Sequence, residues 1–222
     1  MSQERWDAVD KYISDRLAPP DEILDGALRA SAAAGLPPIN VAPNQGKLLS
    51  LYARMIGARR ILEIGTLGGY NTIWLGWALP LGGRIVTLEA DPRHAATARA
   101  NIAAAGLADA VEVRVGRALD LLPELAAEGP AAFDLFFIDA DKANIPAYFE
   151  WALKLSRAGS VIIVDNVVRG GKILDAASED ENVRGVRRFY DLLAAETRVS
   201  ATAVQTVGVK GHDGFALAVV TG

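Results

Sequence analysis

The sequence predicts a doubly wound α/β fold on a mostly parallel sheet. Short apolar runs alternate with helical segments five times between Arg60 and Asp165, the signature of serial strand–helix units covered on both faces. A glycine-rich turn, Gly65-Thr66-Leu67-Gly68-Gly69, follows the first run. The composition, 51% apolar and 23% charged over 222 residues, suits one folded domain rather than a disordered chain. Residues 1–222 are read as that domain, with 1–40 an N-terminal helical segment and 41–222 the Rossmann-like core.

Trp6, Val9, Ile13 and Leu17 recur at helical spacing. Pro19-Pro20 breaks that helix, and Asp21 can cap a second one carrying Ile23, Leu24, Ala27 and Leu28. A third helix is expected from Pro43 to Gly57. Strands follow at Arg60–Ile64, Arg84–Ala90, Val111–Val115, Phe133–Ile138 and Ser160–Asp165. The intervening helices run to about Leu79, start at Asp91-Pro92, pass through Leu121 and Leu125, and span Ile145–Leu155. A long polar segment, Val167–Asn182, precedes a helix to about Glu196. Two last strands, Val199–Val207 and Phe215–Val220, are expected as a hairpin around Gly208–Gly214, with His212 in its turn.

Several function classes are excluded early. The net charge is −4, so no basic surface awaits a phosphate backbone, and nucleic acid is not expected as a partner. There are no cysteines, which removes disulfides, thiolate nucleophiles and cysteine-held metals and fits a reducing, cytoplasmic setting. The charged start MSQERWDAVDKYISDRL does not read as a signal peptide, and no apolar run reaches the roughly 18–20 residues of a membrane span. With two histidines only, a metal site would depend on oxygen donors, favouring magnesium, manganese or calcium over zinc. His94 and His212 are read as surface residues, and Trp74, Trp77 and Trp151 as packing residues.

In open parallel sheets ligands bind beyond the carboxyl ends of the strands. After the first strand, glycines at 65, 68 and 69 allow a tight turn, and the next helix offers free N–H groups to an anion. The spacing is not GxGxxG. Glu63 would repel a pyrophosphate and attract the ammonium of an amino-acid-like ligand. Glu89, about 20 residues on, can accept hydrogen bonds from a ribose diol. These features alone fit a nicotinamide cofactor and S-adenosylmethionine alike. The fourth strand ends in Ile138-Asp139-Ala140-Asp141-Lys142 and the fifth in Val164-Asp165-Asn166. Neighbouring strands would bring Asp139, Asp165 and the Asn166 amide oxygen to one point, a donor set for a hard cation. A nicotinamide-dependent oxidoreductase would leave that cluster without a role. A non-catalytic S-adenosylmethionine-binding protein remains a second alternative.

Five stretches taken together, EIGTLGGYN (63–71), TLEAD (87–91), GRALDLLP (116–123), FIDADKANIPAYFE (137–150) and VDNVVRGGK (164–172), resemble the cation-dependent O-methyltransferases, which include catechol and caffeoyl-CoA O-methyltransferases. The resemblance runs from about Asn40 to DGFALAV (213–219). It implies a seven-stranded class I methyltransferase sheet with its last strand antiparallel, often in a homodimer. It implies S-adenosyl-L-methionine held by the Val41 backbone, Glu63, Gly65, Thr66, Gly69, Asn71, Glu89, Ala118, Asp139, Asp141 and Tyr148. It implies a divalent metal, magnesium before manganese or calcium, on Asp139, Asp165 and Asn166, with Lys142 as the general base. The acceptor implied is a small phenol with vicinal hydroxyls, of the catechol kind. Asn71 in place of serine, Ile145 in place of an aromatic residue, Tyr190 in place of asparagine and Gly170 in place of a substrate-contacting asparagine depart from the pattern. They bear on the acceptor and make a coenzyme A ester less suited than a smaller phenol. The Val167–Asn182 segment, next to the metal residues, can close over that acceptor or serve as a plain connector.

Overall fold

A computed structural model describes residues 2–129 and 132–222. Strands β1 (Arg60–Ile64), β2 (Arg84–Glu89), β3 (Val111–Val115), β4 (Leu135–Ile138), β5 (Val161–Asp165), β6 (Val199–Gly208) and β7 (Gly211–Val220) form one sheet in the order β3-β2-β1-β4-β5-β7-β6. Only β7 runs against its neighbours. Among the described residues eight α-helices flank it: α1 (Gln3–Leu17), α2 (Glu22–Ala33), α3 (Pro43–Met55), α4 (Tyr70–Gly76), α5 (Pro92–Ala104), α6 (Ala118–Ala127), α7 (Ile145–Lys154) and α8 (Glu181–Ala195). Short 3-10 turns occupy Lys142–Asn144 and Arg169–Leu174. This is the seven-stranded doubly wound sheet with its last strand antiparallel that the resemblance implies.

Successive side chains of a strand face opposite sides, and each central strand feeds two cores. Leu62, Ile64, Phe136, Ile138, Ile162 and Val164 pack beneath α6, α7 and α8. Ile61, Leu135, Phe137 and Ile163 pack with α2, α3, α4 and α5. Strands buried on both faces need apolar residues at every position, which explains why β1, β4 and β5 read as continuous runs. Glu63 inside β1, on the α4 side, and Asp165 at the end of β5 are buried polar exceptions. Asp21, Asp91 and Asp180 cap α2, α5 and α8 through their side chains.

Several details differ from the sequence reading. Helix α4 stops at Gly76 instead of Leu79, where a Cβ would lie 2.5 Å from Leu107 Cδ1. Strand β4 begins at Leu135, because the Asp134 carboxylate accepts from the Arg59 and Arg60 N–H groups at 2.8 and 2.9 Å. The hairpin is longer: β7 starts at Gly211, so His212 pairs with Val207 within the ladder and not in the turn. The 167–182 segment carries the Arg169–Leu174 turn, with Gly170 and Gly171 at φ 64° and 85°. Among the described residues no helix is long and apolar enough to cross a membrane.

Candidate active site

The register decides what meets at the carboxyl edge. Ile64 pairs with Ile138 and Ile138 with Val164, so the residues that follow, Gly65, Asp139 and Asp165, emerge side by side. Asp139 N–H donates to Ile64 O at 2.9 Å, continuing the ladder one step. At Gly65 (φ 99°) a Cβ would lie 2.1 Å from Asp139 O, so only glycine lets these backbones approach.

A cavity of about 710 Å³ opens there. Val41, Gly65, Thr66, Asn71, Glu89 and Ala118 line it, as do Asp139, Asp141, Lys142, Tyr148 and Asn166. Three predicted residues stand apart from that lining. Asp165 lines the adjoining cavity of about 570 Å³, which shares Asp139 and Asn166 with the first. Gly69 starts α4 at φ 80° with its missing Cβ facing Ala98 and Ile102, a backbone role. Glu63 is fully buried and does not line the cavity.

Glu63 instead anchors a polar network. Its carboxylate accepts from Asn71 Nδ2 at 2.9 Å, Thr72 Oγ1 at 2.5 Å and Thr87 Oγ1 at 2.7 Å. Burial pushes its pKa up to about 7, against those three hydrogen bonds. A carboxylate only accepts, so it fixes the Asn71 amide with its NH₂ inward. Asn71 Oδ1 is then buried without a partner among the described residues. An unpartnered acceptor on a cavity wall calls for a donor from a ligand.

Glu89 is 9% exposed, and its carboxylate accepts from the Thr66, Leu67 and Asp91 N–H groups at 3.2, 2.8 and 2.9 Å. It therefore pins the glycine turn, where Leu67 takes φ 50°, to the end of β2. Tyr148 O–H donates to Asp141, and burial together with that carboxylate raises the phenol pKa. His94 belongs to this wall too. Its side chain is 21% exposed, with Nδ1 3.7 Å from Glu89 Oε1, which corrects its reading as a surface residue. The Asp91 cap starts α5 so that the first turn carries His94 back over Glu89.

Asp139 and Asp165 crowd each other. Asp165 is 4% exposed, and burial first, then the charge of Asp139, drive its pKa up. Gln45 Nε2 donates to Asp165 Oδ2 at 2.6 Å, and Lys142 Nζ to Asp139 Oδ1 at 2.6 Å. Lys142 is buried, 7% exposed, so it is paired with Asp139 but is no surface lysine. Asn166 follows with φ 59°, a conformation non-glycine residues seldom adopt. Among the described residues no group of three or more His, Cys, Asp or Glu side chains is placed to hold a metal ion. The donor set is thus two carboxylates and one amide oxygen, which fits an oxygen-preferring divalent cation that keeps some of its water. Gln45, Arg169 and Lys210, which also line the second cavity, escaped the sequence reading. They come from a helix start, a turn and a hairpin that no local motif links.

A family model described as O-methyltransferase matches residues 15–219. The chain is 52% identical to a catechol O-methyltransferase of Niastella koreensis over 99% of this chain and all of that one. A crystal structure of the O-methyltransferase from Bacillus cereus in complex with S-adenosylhomocysteine superposes with a TM-score of 0.98 at 60% identity, covering 99% of this chain and 100% of that one. An O-methyltransferase from Streptomyces achromogenes involved in tomaymycin synthesis, solved with S-adenosylmethionine, gives 0.97 at 55% identity over the whole of both chains.

Proposed function

Because this chain belongs to the O-methyltransferase family and is an S-adenosylmethionine-dependent O-methyltransferase, we propose that its acceptor is a vicinal diol of the catechol kind, methylated with the help of a divalent cation. The observation that carries this reading is the pair formed by buried Asp165 and half-buried Asp139 at adjacent strand ends, beside Asn166, in which the Asp139 charge helps to push the Asp165 pKa up. A bound cation offsets that repulsion. The catechol activity belongs to the Niastella koreensis relative by name, and its 52% identity supports the same acceptor class here.

In this reading the first cavity takes the cofactor. Glu89 receives the ribose hydroxyls. Asn71 Oδ1 receives the ammonium, and Glu63 holds the Asn71 amide in that orientation from behind. The ammonium contact expected of Glu63 thus passes to the residue Glu63 orients. Gly65, Thr66 and Ala118 supply close backbone approach, and Asp141 with Tyr148 closes the far wall.

A divalent cation held by Asp139, Asp165 and Asn166 would supply Lewis acidity, making one hydroxyl of a chelating diol easier to deprotonate. Lys142 takes that proton. For this Lys142 would act as the neutral amine; its Nζ lies 2.6 Å from Asp139 Oδ1, at the edge of the proposed cation site. The acceptor oxygen then bonds to the methyl carbon as the carbon–sulfur bond breaks, its electron pair returning to sulfur. In-line alignment of the two substrates is worth effective molarities on the order of 10⁵ M or more. The second copy expected for this family would dock on the exposed apolar residues of α1 and β6, such as Tyr12 and Val204.

Incubation of catechol with methyl-labelled S-adenosylmethionine, with magnesium or with excess EDTA, tests the reading. Label should enter the diol, EDTA should abolish transfer, and added magnesium should restore it. Asp165→Ala should fall at least about 100-fold while keeping its circular dichroism. Full turnover in EDTA would remove the cation from the mechanism, and transfer to phenol equal to that to catechol would remove the diol.

A further inference from the structure

The second cavity carries a charge pattern that methyl transfer does not use. Besides Asp139, Asp165 and Asn166 it is lined by Asp10, Asp213, Arg169 and Lys210. The two extra carboxylates are occupied. Asp10 Oδ1 accepts from Asn44 Nδ2 at 2.8 Å and Oδ2 from Val209 N–H at 2.9 Å. Asp213 Oδ1 accepts from the Val168 and Arg169 N–H groups, both at 2.9 Å, and Oδ2 lies 3.8 Å from Arg169 Nη1.

The two cations are not matched in the same way. Lys210 sits in the tight turn between β6 and β7, and its Nζ donates to Pro38 O at 3.1 Å. No carboxylate lies within 4.0 Å of it among the described residues, so two of its three donors are open. The surrounding walls desolvate the ammonium enough to lower its pKa, with the Asp139 charge acting in the opposite direction. The same interaction puts Lys210 and the proposed diol-binding residues in one electrostatic neighbourhood. Arg169 lines both cavities, and its Nε is buried without a partner among the described residues.

We propose that the acceptor carries a carboxylate which Lys210 receives, with Arg169 flanking it, so that this enzyme selects anionic catechols over neutral and cationic ones. The proposal rests on the vicinal-diol reading and adds to it the charge of the rest of the acceptor. A cationic substituent such as an alkylammonium would meet Lys210 and Arg169 with like charge. A neutral one would forgo the charge-assisted contact with Lys210. The lining has more acids than bases, but Asp139 and Asp165 serve the cation, and Asp10 and Asp213 are tied into backbone N–H groups. The open charge that remains for the acceptor is positive.

The test compares kcat/KM for 3,4-dihydroxybenzoate, 4-methylcatechol and dopamine in the wild-type enzyme, Lys210→Met and Lys210→Glu, with magnesium and saturating S-adenosylmethionine. The wild type should favour the benzoate over 4-methylcatechol by about tenfold or more, mostly in KM, as expected for a charge-assisted hydrogen bond. Lys210→Met should bring that ratio near one, and Lys210→Glu should move the preference towards dopamine. The ratio between two acceptors is read on one preparation, so partial misfolding does not imitate the effect. A wild-type ratio near one, or an unchanged ratio in Lys210→Met, overturns the proposal while leaving the diol reading intact. If none of the three catechols is methylated, the diol reading falls and this inference falls with it.

Discussion

Glu63 shows how one buried side chain can serve a site it never touches. It has no solvent exposure, it accepts three hydrogen bonds, and its pKa rises from 4.5 to about 7 because burial outweighs those bonds. A carboxyl group with a raised folded-state pKa favours the fold while protonated. That contribution is complete below pH 4.5 and is lost as pH rises through about 7. A rise of this size corresponds to ~3 kcal/mol. The uncharged variant Glu63→Gln should lack the loss, since its NH₂ can pair with a flipped Asn71 amide. In urea unfolding of the cofactor-free protein, the stability of wild type relative to Glu63→Gln should drop by ~3 kcal/mol between pH 4.5 and pH 8. Parallel pH profiles for the two proteins would mean that Glu63 is not buried as a carboxyl at all. Asp165, raised in the same direction by burial and by Asp139, is present in both proteins and cancels from the comparison. Glu63 itself was legible from its place before the first glycine, but its hidden position was not. A single sequence gives the strand face that bears it, and cannot show that Thr72 and Thr87 close over it.

At the scale of elements, the five parallel strands were legible to within two residues, and the terminal hairpin less so. Strands β1 and β3 match their expected limits, and β5 differs by one residue. Strand β7 was misjudged at its start because Gly211-His212-Asp213-Gly214 reads as a turn, yet backbone pairing with β6 holds it in the ladder. Contacts between distant elements left still less trace. Gln45, at the start of α3, reaches Asp165 across 120 positions of sequence. Helix α8 touches the Lys142–Asn144 turn through Gly185, where a Cβ would lie 2.2 Å from Lys142 O and 2.7 Å from Ala143 Cα. That glycine sits in a helix interior, where local propensity gives it no purpose. Its purpose is to let α8 press on the turn that carries the proposed base. Gly185→Ala should therefore cost about 1–3 kcal/mol of stability and lower kcat more than cofactor affinity, because the displaced atoms belong to Lys142. The helical glycine Gly26 has only Arg29 Nη2 nearby, at 3.9 Å, so Gly26→Ala should stabilise by about 0.5–1 kcal/mol without changing kcat. Equal thermal shifts of the same sign in both variants would show that the α8 contact is not what Gly185 is for.

For the whole molecule, the sheet is asymmetric. Its β3 edge is short, at 5 residues, whereas its β6 edge runs for 10 residues and is exposed from Ser200 to Val207. A long exposed edge strand is an invitation to pair with another chain, and lone proteins blunt such edges with charge or proline. Strand β6 has neither: its sequence is VSATAVQTVG, with Val204 48% and Val207 47% exposed. Helix α1, which packs against β6, buries none of its own residues and leaves Val9, Tyr12 and Leu17 more than half exposed. Apolar groups from two elements that touch each other, beside an unguarded edge, form a face suited to a second copy of the chain. The same helix and hairpin turn wall the second cavity through Asp10, Gly208 and Lys210, so pairing there would also steady the acceptor side of the site. Light scattering at micromolar concentration should give twice the chain mass of 23.5 kDa. Val204→Lys should return the mass to that of one chain and raise KM for the acceptor more than KM for S-adenosylmethionine, since the cofactor cavity lies farther from β6. A wild-type mass of 23.5 kDa over the working concentration range would remove the dimer, and a monomeric Val204→Lys with unchanged acceptor KM would separate assembly from the site.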